Sequence, residues 1–241
     1  MLLRRLFLLL VVLLCFGVGC VANSDDNDMK FELGSEHGLT KDSTLSSDML
    51  GRIQAGAEGG NRDNIYFLGL LKMYGVSLQK NERDAVVLLK KAARLGLPVA
   101  MTAVGYCAYM GIGMDKDDTV AVSWFRKGAA KQDVNAYWLL AKLLMEGSGV
   151  QTPSYAEAAV YFQMAAEKNI PQAEHHLAIM YEYGMGVDED FLKAEEYYQR
   201  AAQQGFTEAM YHLGLMYAHG RPTINQDYKR AYPLFQAAAQ N

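Results

Sequence analysis

The chain repeats itself every 36 or 37 residues, and no other feature of the sequence limits its fold as strongly. A glycine recurs in register five times, at Gly75, Gly111, Gly147, Gly184 and Gly220. A large apolar residue recurs at the same interval, at Leu89, Phe125, Phe162, Tyr198 and Phe235. A period in this range predicts a solenoid, in which each repeat buries its apolar face against a neighbouring repeat.

Each recurring glycine predicts a turn between two helices. In the segment YEYGMGVDED, residues 181–190, two glycines are followed by three consecutive acidic residues. A phosphate-binding loop would continue with a lysine and a serine or threonine, and a calcium loop would alternate its oxygen ligands over about twelve residues. The glycines therefore indicate a turn in which the backbone leaves the helical region.

A second column predicts where the second helix of each pair ends. Its members suit a left-handed capping residue, and Gln132 is expected to be the least favourable of them. The column consists of Gly60, Gly96, Gln132, Asn169 and Gly205.

The segment AEHHLAIMYEYGMGVDEDFLKAEEYYQRAAQQG, residues 173–205, resembles a Sel1-like repeat. The shared features are the alanine and leucine of the first helix, the Gly-x-Gly turn, and an aromatic-rich Ala-Ala helix that ends in glycine. The resemblance extends over residues 47–241 and implies an all-α fold, an α/α solenoid of about five helix-turn-helix repeats in a right-handed superhelix. The expected repeats follow a capping helix at 47–59 and occupy residues 63–98, 99–134, 135–171, 172–207 and 208–241.

The N-terminus predicts export from the cytoplasm. Two arginines precede an almost entirely apolar run at residues 6–16, and small residues follow it. This pattern is typical of a signal peptide, here residues 1–19. An uncleaved membrane anchor is the alternative, but the run is short for a membrane-spanning helix. Because Cys20 follows the small residues, the segment resembles a bacterial lipoprotein processing site, which implies lipidation of Cys20 and a periplasm-facing location, with Val21 favouring the outer membrane.

The composition of the processed chain excludes some classes of partner and bond. Residues 20–46 are polar and aperiodic after the lipidated cysteine, so they predict a flexible tether. Removal of residues 1–19 would leave 21 basic and 27 acidic residues, a net charge of −6, which disfavours nucleic-acid binding. Cys15 lies in the predicted signal peptide and Cys20 would carry lipid. Only Cys107 then remains, so no intramolecular disulfide is expected.

No nucleophile, base and acid stand together in a recognisable motif, so we predict no enzyme activity and no cofactor. The histidines offer the main alternative, because His176 and His212 occupy equivalent repeat positions and His219 follows seven residues later. A metal site would need three or four converging ligands, to which Glu146, Glu182 and Glu208 could contribute. We interpret these histidines instead as solvent-facing helix residues and predict no metal site.

The side of each first helix opposite its core columns is the candidate partner-binding surface. By analogy with related helical repeats, this side lines the concave surface, and it carries aromatic and aliphatic residues where a merely solvated face would be charged. Tight superhelical winding that buries part of it is the alternative. We call these residues the first-helix stripe: Phe67, Leu70, Tyr74, Tyr106, Met110, Leu139, Lys142, Glu146, His176, Ile179, Tyr183, His212, Leu215 and His219.

The family resemblance implies a scaffold that binds another protein. One role within the family is immunity, in which periplasmic lipoproteins neutralise phospholipase toxins delivered by type VI secretion. Other implied roles are envelope assembly, exopolysaccharide export and stress signalling. An enzyme, or a binder of cell-wall fragments through the tyrosines and histidines, is the less favoured class.

Overall fold

The computed structural model describes residues 22–23, 30–31 and 45–240. Two short strands, β1 (Ala22–Asn23) and β2 (Lys30–Phe31), precede the helices. Residues 45–240 then form α1 (Ser47–Glu58), α2 (Arg62–Tyr74), α3 (Glu82–Arg94), α4 (Pro98–Met110), α5 (Asp118–Ala130), α6 (Val134–Glu146), α7 (Tyr155–Ala166), α8 (Pro171–Tyr183), α9 (Phe191–Gln203), α10 (Thr207–His219) and α11 (Tyr228–Gln240). The predicted all-α fold of helix pairs is confirmed. The predicted signal peptide, the lipidation site Cys20 and most of the tether lie outside the described residues.

Both columns of predicted turn residues have the backbone that the sequence implied. The glycines after the first helices have positive φ angles, for example 70° at Gly111 and 62° at Gly184. The capping column is also left-handed, with φ of 84° at Gly96 and 84° at Gly205. Gln132, at 62°, is a non-glycine residue in this region, which costs about 1–2 kcal/mol relative to glycine.

The second glycine of each Gly-x-Gly turn lies against the preceding repeat. A Cβ atom added to Gly113 would stand 2.2 Å from the carbonyl oxygen of Glu82, at the start of α3. A Cβ atom added to Gly186 would stand 2.3 Å from the carbonyl carbon of Tyr155, at the start of α7. Backbone contact between repeats therefore requires glycine at these two positions.

Four of the five second helices, all except α7, begin at a polar residue whose side chain caps free N–H groups. The side-chain carboxylate of Asp117 accepts a hydrogen bond from the Val120 N–H, and that of Asp190 accepts from the N–H groups of Leu192 and Lys193. The acids that follow the glycine pair thus serve helix initiation, as is typical of N-cap positions.

The described helices divide into two compact units, one that ends at Ala136 and one that begins at Tyr137, within α6. In the first unit, Leu89 and Phe125 are fully buried between helices, and in the second unit Phe162 and Tyr198 are fully buried at the equivalent positions. No helix among the described residues has the length and apolar character needed to cross a membrane.

Helix α1 covers the first repeat. Ile53 and Ala57 of α1 belong to one apolar cluster with Phe67 and Leu70 of α2. The two helices approach closely at Gly56, where an added Cβ would overlap the Asn64 side chain. The first end of the repeat array is therefore closed by this helix.

Candidate functional site

In the first unit, the first-helix stripe is only partly accessible. Phe67 and Leu70 are 6% and 4% exposed, because α1 packs on α2. Tyr74 and Tyr106 are half-buried, and Met110 is 45% exposed. The assignment of Phe67 and Leu70 to an accessible partner surface is thus wrong, because both lie in the core.

In the second unit, most of the stripe reaches the surface. Leu139 is buried, which corrects its expected exposure. Lys142, Ile179 and Leu215 are half-buried, while Glu146 and His219 are exposed. The most exposed large apolar member is Tyr183, at 60%. Whether these residues bind a partner stays a prediction.

The spacing of α8 explains why one side of this helix is accessible. One side of this helix faces the core of the protein and carries four side chains that are each at most 1% exposed, Ala173, Leu177, Ala178 and Met180. Residues three or four positions apart share a face of a helix, so Gln172, Ile179 and Tyr183 lie together on the more accessible side, which also carries the half-buried His176.

The histidines lie among aromatic rings, which corrects the interpretation that they are solvent-facing. The His176 ring stacks near Trp138 and Phe162, with centroid distances of 6.1 and 5.1 Å. The His212 ring stacks on Tyr198 at 5.6 Å. Both histidines are half-buried, and only His219 of the three predicted stripe histidines is exposed.

His175, outside the predicted stripe, is the most buried of these rings. It is 7% exposed and lies within 6 Å of the rings of Tyr198, Phe206 and His212. Its Nε2 atom is buried without a hydrogen-bond partner. Burial, with the neighbouring His176 and His212, lowers the pKa of His175 to about 2. Burial and the Lys142 ammonium lower the pKa of His176 to about 4.

These shifts predict a loss of stability in acid. The folded pKa of His175 lies below its ordinary value of 6.5, so between those values the unfolded chain binds the additional proton. The stability linked to the neutral form of His175 is therefore fully present above pH 6.5 and is lost as the pH falls toward its folded pKa. We expect His175 alone to cost about 2–3 kcal/mol of the free energy of unfolding at pH 4.5 relative to pH 7.5. Urea denaturation at both pH values measures this difference.

The substitution His175→Phe should flatten the pH dependence of stability, because it removes the imidazole. It should keep the packing, because it leaves an aromatic ring at a position that Tyr66 and Tyr211 occupy in other repeats. The exposed His219→Gln serves as the matched control and should leave the pH dependence unchanged. If His175→Phe loses as much stability in acid as the unaltered chain, His175 is not the group responsible.

A buried ion pair lies between the fourth and fifth helix pairs, α8–α9 and α10–α11. The carboxylate of Glu182 is 4% exposed and accepts hydrogen bonds from the Tyr198 hydroxyl at 2.8 Å and from Arg221 Nε at 3.1 Å. A second guanidinium nitrogen of Arg221 also contacts Glu182. Burial, reinforced by the Glu182 carboxylate, raises the pKa of Tyr198, so its hydroxyl remains a donor.

A second buried acid, Glu174, is held within the fourth helix pair. Its carboxylate lies 2.6 Å from an Arg200 guanidinium nitrogen and 2.6 Å from Gln204 Nε2, which donates to it. Burial raises the pKa of Glu174, while Arg200 opposes that change. Sequence reasoning missed this residue. The detectable signal is an acid in a column that is otherwise apolar, with Ile65, Met101 and Tyr137 at the equivalent positions.

Two kinds of reactive site were sought among the described residues, a metal site and an activated thiol. Within residues 45–240, no three His, Cys, Asp or Glu side chains are grouped to hold a metal ion. Cys107 is a free thiol, 1% exposed, and burial raises its pKa to about 12. A thiol of that pKa is protonated at neutral pH and is a poor nucleophile.

The repeated geometry has a counterpart in a known family. The profile of the Sel1 repeat matches five successive segments, residues 65–97, 98–133, 134–170, 171–206 and 207–241. The chain belongs to the Sel1 repeat family. Each matched segment covers one helix pair, the first beginning three residues inside α2, so the family profile and the structure divide this Sel1 repeat protein in the same way.

Solved structures share this fold. The protective antigen c5321 of uropathogenic Escherichia coli superposes with a TM-score of 0.78 at 25% identity, covering 81% of this chain and 42% of that chain. A Sel1 repeat protein of Oxalobacter formigenes superposes with a TM-score of 0.75 at 28% identity, covering 81% of this chain and 80% of that one.

A longer eukaryotic protein carries similar repeats. The ERAD-associated E3 ubiquitin-protein ligase component HRD3B of Arabidopsis thaliana is 32% identical over 153 residues, which are 63% of this chain. The matched segment is 22% of HRD3B, so this Sel1 repeat chain spans less than a quarter of that relative.

Proposed function

We propose that this Sel1 repeat chain is a lipid-anchored bacterial envelope protein that binds another protein through its first-helix stripe. The observation that carries the proposal is the accessible apolar surface of α8 and α10. Tyr183 is 60% exposed there, and Ile179 and Leu215 are half-buried beside polar residues. A large aromatic residue with aliphatic neighbours and a polar rim is the usual composition of a protein-binding surface.

Charge complements this apolar surface in the second unit. The Lys142 ammonium lies 5.8 Å from the centroid of the Trp138 ring, while Glu146 lies one helical turn away and is exposed. The stripe therefore carries both signs of charge. Opposite charges fix the orientation of a protein partner and do not favour a polyanion, in agreement with the net negative charge of the chain.

Neutralisation of a secreted phospholipase toxin is the specific role that we propose for this surface. Its support is the resemblance to periplasmic Sel1-like immunity lipoproteins together with the lipoprotein-like N-terminus. Cells that produce the full chain should survive a periplasm-directed phospholipase toxin of the same bacterium. Equal killing with and without the chain would exclude this role and would leave envelope assembly, polysaccharide export or stress signalling.

Truncation of Tyr183 should weaken partner binding without unfolding the protein. Aromatic residues near the centre of an interface dominate its energy, so Tyr183→Ala should cost about 1–3 kcal/mol of binding free energy. Calorimetric titration of the full chain with the toxin measures the affinity, and circular dichroism melting measures stability. Tyr106→Ala tests the stripe of the first unit in the same way.

Two controls separate binding from folding. Tyr228 is 66% exposed outside the stripe, so Tyr228→Ala should bind as the unaltered chain does. Phe162 is fully buried, and Phe162→Ala should lose about 3–5 kcal/mol of stability. If Tyr183→Ala melts as early as Phe162→Ala, the stripe is part of the core. If it binds with undiminished affinity, the partner occupies another surface.

Lipidation of Cys20 is the anchor that we propose. A palmitate analogue fed to producing bacteria should label the full chain, and Cys20→Ser should abolish the label because the acylated thiol is gone. Cys107→Ala is the control, since this buried thiol should not be modified, and its label should persist. Undiminished labelling of Cys20→Ser would contradict the lipoprotein assignment.

A further inference from the structure

The second helices of the first two repeats carry cations on the side that faces away from the core. On α3, Val87, Lys91 and Arg94 are all exposed, and their spacing of four and then three residues places them on one face of the helix. The other face of α3 carries the fully buried Leu89 and Ala92. Two cations and an aliphatic side chain therefore reach solvent together.

Helix α5 repeats this arrangement. Lys127 occupies the position that Lys91 holds in the preceding repeat, and Lys131 follows directly after the helix; both are exposed. The Lys127 ammonium lies 4.1 Å from the centroid of the Trp124 ring. Within residues 45–240 no carboxylate pairs with any of the four exposed cations, Lys91, Arg94, Lys127 and Lys131.

The two helices lie side by side. Helix α4 contacts both α3 and α5, and Trp124 of α5 packs against the apolar cluster that includes Val86 and Leu89 of α3. The equivalent helices of the second unit are joined directly, because the Tyr197 hydroxyl of α9 donates to Gln163 of α7. The cations of α3 and α5 therefore belong to one surface. We call it the basic face, formed by Val87, Lys91, Arg94, Leu95, Lys127 and Lys131.

The acidic residues of these repeats do not neutralise the basic face. Residues 85–114 and 119–132 contain no acidic residue. The acids between these segments precede α5, whereas the lysines of the face lie near the other end of that helix. Asp84, at the start of α3, pairs with Lys72 at 3.0 Å, and Asp133 is only 8% exposed. The nearby carboxylates are thus paired, buried or distant along the helix.

The equivalent positions of the second unit do not carry this free charge. Met164 and Arg200 stand where Lys91 and Lys127 stand in the first two repeats. The guanidinium of Arg200 lies 2.6 Å from the buried Glu174 carboxylate, so its charge is compensated within the protein. The accumulation of free cations therefore distinguishes the first two repeats from the third and fourth.

We propose that the basic face binds the surface of a membrane that contains anionic phospholipids. Lysine and arginine near such a surface are attracted to its phosphate groups, and clusters of about four to eight are typical of peripheral lipid binding. Between the cations, Val87 is 67% exposed and Leu95 is 47% exposed. Aliphatic side chains among cations suit the boundary between headgroups and acyl chains, where the long charged side chains reach the phosphates.

A lipid surface fits this composition better than an acidic protein does. Protein interfaces are depleted in lysine and enriched in aromatic residues, whereas three of the four cations here are lysines. Trp124 is half-buried beside the Lys127 ammonium and is not presented for contact. The basic face thus offers charge and aliphatic surface, which a bilayer accepts without partner groups at fixed positions.

The inference rests on the proposed envelope location, because the lipid on Cys20 would bring the chain to a membrane. A single acyl chain gives only marginal attachment, and a basic surface is a common second signal. The basic face belongs to the first two repeats after the N-terminal segment. Both attachments would therefore act on the same end of the described helices.

The reactivity of individual lysines tests the proposal. The full chain is reconstituted from a mild detergent into vesicles of phosphatidylcholine, either alone or with about one third phosphatidylglycerol to supply the negative charge. The lysines are then acetylated briefly, and mass spectrometry of the peptides reports each site. At low salt, Lys91, Lys127 and Lys131 should react at least about threefold more slowly in the anionic vesicles. About 0.5 M salt should remove the difference, because it screens the attraction.

Lys168 and Lys229 are the internal controls, because both are exposed in the second unit, outside the basic face. They should react equally in the two kinds of vesicle. Equal reactivity of Lys127 in neutral and anionic vesicles overturns the proposal. Protection that the two control lysines share to the same extent also overturns it.

A double substitution tests whether the cations act together. Lys91→Gln with Lys131→Gln should abolish the protection of the unaltered Lys127, because half of the exposed charge is gone. Both positions are exposed, so circular dichroism melting should be unchanged. Lys168→Gln with Lys229→Gln is the matched control and should keep the protection of Lys127. Protection of Lys127 that survives Lys91→Gln with Lys131→Gln overturns the proposal.

A soluble polyanion separates a lipid surface from an acidic protein. Polyglutamate, added to the chain in neutral vesicles at the same concentration of negative charge, should protect Lys127 less, because it offers no acyl region to Val87 and Leu95. Equal protection would indicate an acidic protein partner and would overturn the proposal. Both kinds of vesicle hold the same N-terminus, so these outcomes do not depend on acylation of Cys20, which palmitate labelling tests separately.

Discussion

Gly186→Val should destabilise the protein by about 3–5 kcal/mol, because two separate costs add at this position. The first is conformational, since φ is 73° and a β-branched residue is strained there. The second is steric, since an added Cβ would lie 2.3 Å from the carbonyl carbon of Tyr155 and 2.6 Å from its oxygen. Both neighbours are backbone atoms of the preceding repeat, so the turn must move away from it. Thermal melting followed by circular dichroism measures the loss.

Gly184→Val separates the two costs. Gly184 has a similar φ of 62°, but the nearest atom to an added Cβ is 3.6 Å away, which is ordinary contact. It should lose only the conformational part, about 1–2 kcal/mol. Equal losses in the two variants would show that the contact with Tyr155 contributes nothing, and the role assigned to the second glycine would then be wrong.

Arg221→Ala should cost about 3–5 kcal/mol, because it leaves the buried Glu182 carboxylate without its cation. Glu182 is 4% exposed and would keep only the hydrogen bond from the Tyr198 hydroxyl. Urea denaturation at neutral pH measures the change.

The double substitution Glu182→Met with Arg221→Met is the control. Methionine occupies the position of Glu182 in two other repeats, as Met73 and Met145, so it suits the packing there. The double variant should stay within about 1–2 kcal/mol of the unaltered chain, since no charge is left buried. If Arg221→Ala alone is equally mild, solvent reaches Glu182 and the pair adds little.

Much of the fold follows from periodicity, because periodicity reports which side of a helix faces the core. The glycine turns, the left-handed caps at Gln132 and Asn169, and the buried Phe125 column were all predictable from spacing. The burial of Phe67 and Leu70 was not predictable in this way. It depends on α1, which precedes the repeats and does not share their pattern.

The buried polar contacts around the candidate site were less predictable, because they join residues far apart in the chain. Glu182 meets Arg221 across 39 positions, and the Tyr197 hydroxyl donates to Gln163 across 34. A column alignment marks Glu174 and Glu182 as unusual, but it does not show which cation each one meets. The burial of His175 escaped for a similar reason, since its aromatic neighbours come from α9, α10 and the segment before α10.

The pairing of Glu182 with Arg221 means that the repeats of this solenoid are not interchangeable parts. A duplicated copy of residues 171–206 would bring a second Glu182 to a junction where no arginine follows it. Deletion of residues 207–241 would also leave Glu182 without an arginine partner. Recombination between repeats is therefore restricted at this junction, and the order of the last two repeats is fixed by charge as well as by packing.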